Sequence, residues 1–239
     1  MLARLDYIKL QPQRILDAGS GPARDAMALA RRYRGANLIA LDFAHAMLPR
    51  AGRLERWLGR GMLAVCAGLN RLPLPPQSVQ LVWCNMALHW VSEPLAALRE
   101  FERVLSPDGL LMFSTLGPDT LKELRAAAGP ARVHAFIDMH DWGDMLVAAG
   151  FQAPVMDMEM IELEYGRGER LLDDLRASGQ TNARNDRPRS LAGRSFGDEL
   201  RRRLDLERRA TYEVVYGHAW KRAPVSSEVK TVRVFKRFS

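Results

Sequence analysis

The stretch LDAGSGPARDA, from Leu16 to Ala26, decides how the first part of this chain is read. A short apolar run, RILDA (Arg14–Ala18), precedes it, and a helix-forming run from Pro22 to Tyr33 follows. Two glycines, Gly19 and Gly21, stand one residue apart at this strand-to-helix corner. Glycines there let the backbone turn sharply and approach a ligand closely. A lone Gly-x-Gly is also an ordinary tight turn, so its surroundings have to decide.

Outward from the turn, strand-like and helix-like patterns alternate. NLIALDF (Asn37–Phe43) reads as a second strand, and Ala44 to about Leu58 as a helix. MLAVCAG (Met62–Gly68) and VQLVWCN (Val79–Asn85) are the third and fourth strands. Pro94–Leu105 is amphipathic with proline at its start, SPDG is a turn, and LLMFSTL (Leu110–Leu116) is the fifth strand. Near-continuous apolar strands separated by helices imply a parallel sheet covered on both faces. The expected fold is α/β, a Rossmann-like doubly wound sheet whose ligands lie beyond the carboxyl ends of its strands. Later come a helix over Asp138–Ala149, a strand over Val155–Tyr165, and a strand TYEVVYGHAWKR (Thr211–Arg222). The Arg-, Asp- and Leu-rich segment between those two strands has helical spacing and is read as a lid. The expected organisation is therefore a cofactor-binding domain over residues 1–165 and 211–222, a helical lid insertion over 166–210, and a loose basic tail over 223–239.

Which ligand the turn suits is set by charge. A dinucleotide fingerprint wants glycine three residues after Gly21, where Arg24 stands. Asp17 closes the first strand, and a pyrophosphate gains nothing from a carboxylate beside it. A ligand with an ammonium group does. S-adenosylmethionine carries that ammonium, a positive sulfonium and no phosphate. Asp42 ends the second strand about 20 residues beyond the glycines, where a carboxylate accepts ribose hydroxyls. Phe43 and Met47 are then placed to flank the adenine.

The composition excludes several classes. With 239 residues, 47% hydrophobic and 26% charged, the chain has room for a real core. No apolar run approaches a membrane span, and the N-terminal residues have no apolar h-region, so no signal peptide is expected. Cys66 and Cys84 lie in apolar runs and are read as buried free thiols of a reducing, cytoplasmic setting. The five histidines show no paired ligand spacing, so no metal site is expected. The net charge of +7 points to an acidic partner, but no aromatic-interleaved basic stripe supports nucleic acid.

At the glycine turn the chain resembles the class I methyltransferases. LNRLPLPPQSVQLVWCNMALHWV and ALREFERVLSPDGLLMFSTL look like later motifs of that family. STLGPDTLKELR, HAFIDMHDWGDMLVAAGF, LRASGQTNAR with LAGR, and YEVVYGHAWK resemble a narrower family, the BioC-type malonyl-acyl-carrier-protein O-methyltransferases of biotin synthesis. That likeness spans roughly Ile15 to Lys221. Two positions depart from the pattern: Gly68 stands where the family usually has Asp for the adenine amino group, and Ala23 replaces a common third glycine. Backbone near Leu69 is then expected to hold the adenine. Related enzymes also carry helices before the first strand, whereas here that strand begins at Arg14.

The resemblance implies methylation of the free carboxylate of a malonyl thioester. A carboxylic acid is already ionised at neutral pH, so no catalytic base is required; positioning in line with the sulfonium methyl, with water excluded, suffices. Asn85, His89 and Trp90 follow the fourth strand, at the rim where cofactor and substrate meet. Thr115 and Thr120 flank the loop after the fifth. By resemblance His134, Phe136 and Asn182 line the acyl pocket, Arg125 or Arg132 forks onto the carboxylate, and Tyr216 faces the pocket. Arg194, Arg201, Arg202 and Arg203 are the expected docking face for an acidic acyl carrier protein. The alternatives are a methyltransferase acting on another small carboxylate or a quinone precursor, a BioC-like assembly factor that hydroxylates an arginine of respiratory complex I, and a non-catalytic cofactor-binding module.

Overall fold

A computed structural model describes residues 1–48, 62–180, 182, 187–188 and 193–223. Its sheet has seven strands: β1 (Arg14–Ala18), β2 (Asn37–Asp42), β3 (Met62–Cys66), β4 (Val79–Asn85), β5 (Leu105–Leu116), β6 (Phe151–Glu164) and β7 (Arg209–Lys221). They lie in the order β3-β2-β1-β4-β5-β7-β6. The first five are parallel, and β7 runs antiparallel between β5 and β6. The strand order reverses at β1 and β4, which opens a crevice beyond their carboxyl ends.

Six α-helices surround the sheet among the described residues: α1 (Arg24–Arg32), α2 (Pro94–Val104), α3 (Lys122–Ala128), α4 (Met139–Ala148), α5 (Glu169–Ala177) and α6 (Arg194–Glu207). Proline opens α2, where its missing N–H costs nothing. The Asp138 carboxylate caps α4 by accepting from the His140 amide. The helix expected from Ala44 falls mostly outside the described residues, which show a 3-10 turn at His45–Met47. The expected loose tail also lies outside them, from residue 224 onward.

The apolar strands read as continuous because neighbours along each strand enter different cores. Leu16, Val82, Cys84 and Phe113 point to one face, with Phe101 of α2 and Trp142 of α4. Ile15, Leu81, Trp83 and Met112 point to the other, with Leu29 of α1 and Leu5 near the N-terminus. A third, smaller cluster of Leu121, Leu124, Val133, Leu171, Leu204 and Ala210 joins α3, α5 and α6 at the end of β7.

Two strand starts and one helix differ from expectation. β5 begins at Leu105, with the SPDG turn built into the strand as an irregularity: Asp108 takes φ +57°, and the pairing with β4 slips between Val79 and Leu81. β6 begins at Phe151, four residues early, and slips against β7 around Pro154, which has no N–H for a ladder. Among the described residues β6 is also an edge strand, so its second half is exposed on both faces, including Met158, Ile161 and Leu163. The helix α3 was not anticipated.

The two-helix insertion between β6 and β7 is closed by a tight contact. A Cβ at Gly168 would stand 2.1 Å from the backbone carbonyl of Leu204 in α6, while the Gly168 amide donates to Asp205 Oδ1 at 2.7 Å. Gly168→Ala should therefore separate α5 from α6, with a loss of about 1–3 kcal/mol. Thermal unfolding and protease cleavage within the insertion measure it; an unchanged midpoint with an unchanged cleavage rate contradicts the contact.

Candidate functional site

The glycine turn is held from three sides. The amides of Gly19 and Ser20 both donate to the Leu41 carbonyl of β2, at 2.8 and 3.0 Å. Gly19 has φ +76°, and a Cβ there would lie 2.3 Å from the Ala87 Cβ. Glycine is thus required both by conformation and by the close approach of the turn after β4. The Gly21 amide donates to Asp42 Oδ2 at 2.8 Å, and Asp42 Oδ1 accepts from the Ala44 amide at 2.8 Å. Asp42 therefore ties the turn after β1 to the turn after β2 and keeps one outward lone pair per oxygen at most. Ala23 holds φ +58°, so the left-handed geometry expected of a third glycine is kept with an alanine.

Asp17 is 2% exposed, and its Oδ2 has no hydrogen-bond partner. Burial, with the Asp25 carboxylate close by, pushes the Asp17 carboxyl up to about 8. The Ser20 hydroxyl in the same turn is also buried without a partner. A turn lined by an unsatisfied carboxyl and an unsatisfied hydroxyl lacks a cationic donor, which is what an ammonium-bearing ligand brings. The residues present fit that group.

Asp25, which sequence reasoning missed, organises the floor. Its Oδ2 accepts from Trp83 Nε1 at 2.9 Å and from Asn85 Nδ2 at 2.7 Å. Asn85 Oδ1 accepts from the Ser114 hydroxyl at 2.5 Å. The Asn85 side chain, expected to face a cofactor, is consumed within the protein. An acid in the first helical turn after the glycines was the available signal. Phe43 is 75% exposed and Met47 38% exposed, on the rim beside Asp42. Gly68 is exposed and Leu69 half-buried beyond β3, where Leu69 packs on the core.

Two cavities lie along β7. One, of about 300 Å³, lies among Asp25, Trp83, Asn85, Ser114, Val214 and Tyr216. The other, of about 270 Å³, lies beneath α5 and α6 and is lined by His89, Trp90, Thr120, Arg132, His134, Phe136 and Asn182, with Tyr212. Tyr212, Val214 and Tyr216 follow one another on one face of β7, so the cavities are neighbours. Seven of the ten expected substrate residues thus come together in the second cavity. His89, Trp90, His134 and Phe136 form an aromatic wall, with ring centroids 5.0–5.9 Å apart in four pairs. Arg132 lays its guanidinium over Phe196 of α6 at 4.3 Å. Asn182 Nδ2 donates to the Ala131 carbonyl at 3.0 Å.

The other three lie elsewhere. Arg125 donates to the carbonyls of Pro118 and Thr120, at 2.7 and 2.9 Å, so its fork clamps the loop after β5 and does not line the cavity. Thr115 is fully buried with an unpartnered hydroxyl and lines neither cavity. Tyr216 lines the first cavity, donates to Glu159 at 3.3 Å and stacks beneath Arg4 at 4.2 Å. Thr120 reaches the second cavity, but its hydroxyl bridges the Glu213 backbone.

The expected docking arginines are exposed on α6, but that helix carries four acids for its four arginines. Arg201 pairs with Asp198, and Arg202 and Arg203 share Glu199. Cys84 is buried as expected, whereas Cys66 is exposed, because β3 is an edge strand. Both thiols are free. Two strands separate β3 from β4, too far for a disulfide. Among the described residues no cluster suits a metal ion, and no helix is long and apolar enough to cross a membrane.

Strand order, glycine turn and the acids beside it define an S-adenosylmethionine-dependent class I methyltransferase. A methyltransferase-domain family model matches residues 16–113. The solved structures of the YcgJ protein of Bacillus subtilis and of a putative methyltransferase from Bacillus halodurans share the fold, with TM-scores of 0.68 and 0.69 at 18% identity. They cover 93% of this chain and 97% and 99% of their own. A malonyl-[acyl-carrier protein] O-methyltransferase of a Methylovorus species is 50% identical over 92% of this chain and 79% of its own. Its counterpart in Laribacter hongkongensis is 48% identical over 93% and 80%. The chain belongs to the malonyl-[acyl-carrier protein] O-methyltransferase family.

The buried Asp17 has a measurable signature. Its folded value of about 8 stands above the ordinary carboxyl value near 4, so the folded protein keeps a proton that the unfolded chain loses. The stabilising contribution is full below about pH 4 and is lost as pH rises to about 8. Asp17→Asn should flatten that slope of thermal stability between about pH 5 and pH 8. An unchanged slope means that Asp17 is ionised in the empty protein.

Proposed function

We propose that this chain transfers a methyl group from S-adenosylmethionine to the free carboxylate of malonyl-acyl-carrier protein. The observation that carries this reading is the 50% identity to the Methylovorus enzyme over 92% of this chain. A second support is the cavity beneath α5 and α6, beside the crevice where a methyl donor belongs.

When bound, S-adenosylmethionine supplies an electrophilic methyl on a positive sulfur. Asp17, with Ser20, receives its ammonium group; Asp42 offers its remaining lone pairs to the ribose; Phe43, Met47 and Leu69 flank the base. Since a carboxylate needs no proton removed, no side chain has to act as a base. The protein orients the carboxylate and keeps water from it, because hydration opposes attack as the two charges cancel. Of the two arginines considered, Arg132 is the better anchor for the carboxylate. It lines the cavity and has no ion pair among the described residues, whereas Arg125 is committed to backbone. Residues 166–210 act as the lid, and Leu172, Leu200 and Phe196 supply the dry wall.

The acidic character of the carrier belongs to the same reading, supported by the net charge of +7. Arg194, Arg201, Arg202 and Arg203 remain its docking face, with strength set by how far Asp198 and Glu199 neutralise them locally. A cytoplasmic setting is supported by the two free thiols.

Mass spectrometry of malonyl-acyl-carrier protein incubated with S-adenosylmethionine should show the gain of one methyl group. No gain with cofactor bound would favour an assembly or non-catalytic role. Asp17→Asn should weaken S-adenosylhomocysteine about tenfold or more, read by calorimetry. Raising salt should increase KM for the carrier protein more than for S-adenosylmethionine, and equal effects would remove the docking face.

A further inference from the structure

Both ring nitrogens of His89 are buried without a hydrogen-bond partner, in a side chain that is only 8% exposed and lines the cavity beneath α5 and α6. Leaving such groups unsatisfied is costly, so the cavity is built to receive something that satisfies them. His134 Nε2 lies 2.8 Å from the His89 carbonyl. A carbonyl only accepts, so His134 Nε2 carries the proton and donates, and in the neutral ring Nδ1 is then an acceptor. That nitrogen is also buried and unpartnered. Burial, with His134 beside it, lowers His89 to about 4, so at neutral pH its ring is uncharged, with one donor and one acceptor. The corner therefore presents two acceptors and one donor between the rings of Trp90 and Phe136.

That inventory discriminates between the parts of a malonyl thioester. Carboxylate and thioester carbonyl are acceptors only. They can use the single His89 donor, and they face repulsion from the two imidazole lone pairs. An amide offers an N–H as well as a carbonyl, and its planar face suits aromatic walls. On carrier proteins the acyl group hangs from a pantetheine arm that contains amides, the nearest of them two carbons from the sulfur. We infer that His89 and His134 form a recognition site for the pantetheine amide nearest the thioester, which selects pantetheine-linked substrates through its N–H. This rests on the thioester reading above and assigns a role to the polar corner of its cavity. The amide and the malonyl carboxylate are separated by only a few bonds, so one cavity holds both, with imidazoles at the first and Arg132 at the second.

The test compares two small substrates of equal size, malonyl-N-acetylcysteamine and its analogue with an ester oxygen in place of the amide N–H. The wild-type enzyme should favour the amide by about ten- to a hundredfold in kcat/KM, through KM. His89→Phe, which keeps the ring and removes both polar atoms, should bring the two substrates within about twofold. It should also raise KM for malonyl-acyl-carrier protein about tenfold. His89→Asn, which restores a donor and an acceptor, should recover part of the preference. Equal wild-type rates on amide and ester overturn the inference without any variant, and so does a His89→Phe enzyme that keeps the preference. If neither these thioesters nor malonyl-acyl-carrier protein gains a methyl group, the thioester reading itself is what fails.

Discussion

A carboxyl group placed at the end of a central strand, beneath a turn of two glycines, with a second acid close by and no cation to answer it, is a destabilising arrangement for an empty protein. The fold tolerates it because Asp17 stays protonated there, at the expense of a stability that weakens toward alkaline pH. Around that residue the remaining contacts can be understood as support. Asp42 pins the turn by accepting from Gly21, and Gly19 lets the turn after β4 come against it. Asp25 anchors Trp83 and Asn85 from the other strand of the crevice. Each of these fixes backbone that a ligand would touch, so that little rearrangement is left for binding.

The division of labour along the sheet follows from the same crevice. The parallel strands β1–β5 frame the crevice, and the antiparallel β7 carries a single face of side chains from the crevice at Tyr216 to the cavity beneath α5 and α6 at Tyr212. A strand that returns between β5 and β6 leads directly from the insertion that carries α5 and α6 back to the crevice. The loop after β5 is clamped by Arg125, which donates to its Pro118 and Thr120 carbonyls, and is tied to β7 by the Thr120 hydroxyl on the Glu213 backbone.

The strands and the class of the fold were legible because alternate neighbours such as Ile15 and Leu16, or Trp83 and Cys84, enter two separate cores and leave no polar gap in the sequence. The acids flanking the glycines were legible for a chemical reason, since charge alone separates one nucleotide-like ligand from another. What escaped was whatever depends on who reaches a polar group first. Arg125 looks like an anion fork and Asn85 like a ligand contact, yet nearby carbonyls and Asp25 claim them before any ligand can. Asp25 itself gave no pattern beyond an acid in a first helical turn. The helix α3 was hidden by its brevity, and the early start of β6 by the proline that interrupts its ladder.

The exposed flank of β6 carries one more implication. Among the described residues, Val155 to Glu164 has unpaired backbone on one side and exposes the apolar side chains of Val155, Ile161 and Leu163, a surface on which sheets are prone to grow by accretion. Asp157, Glu159, Glu162 and Glu164 are threaded through the same ten residues. A second molecule laid alongside would set carboxylate against carboxylate, so the rim repels its own kind while leaving the strand free to stay open.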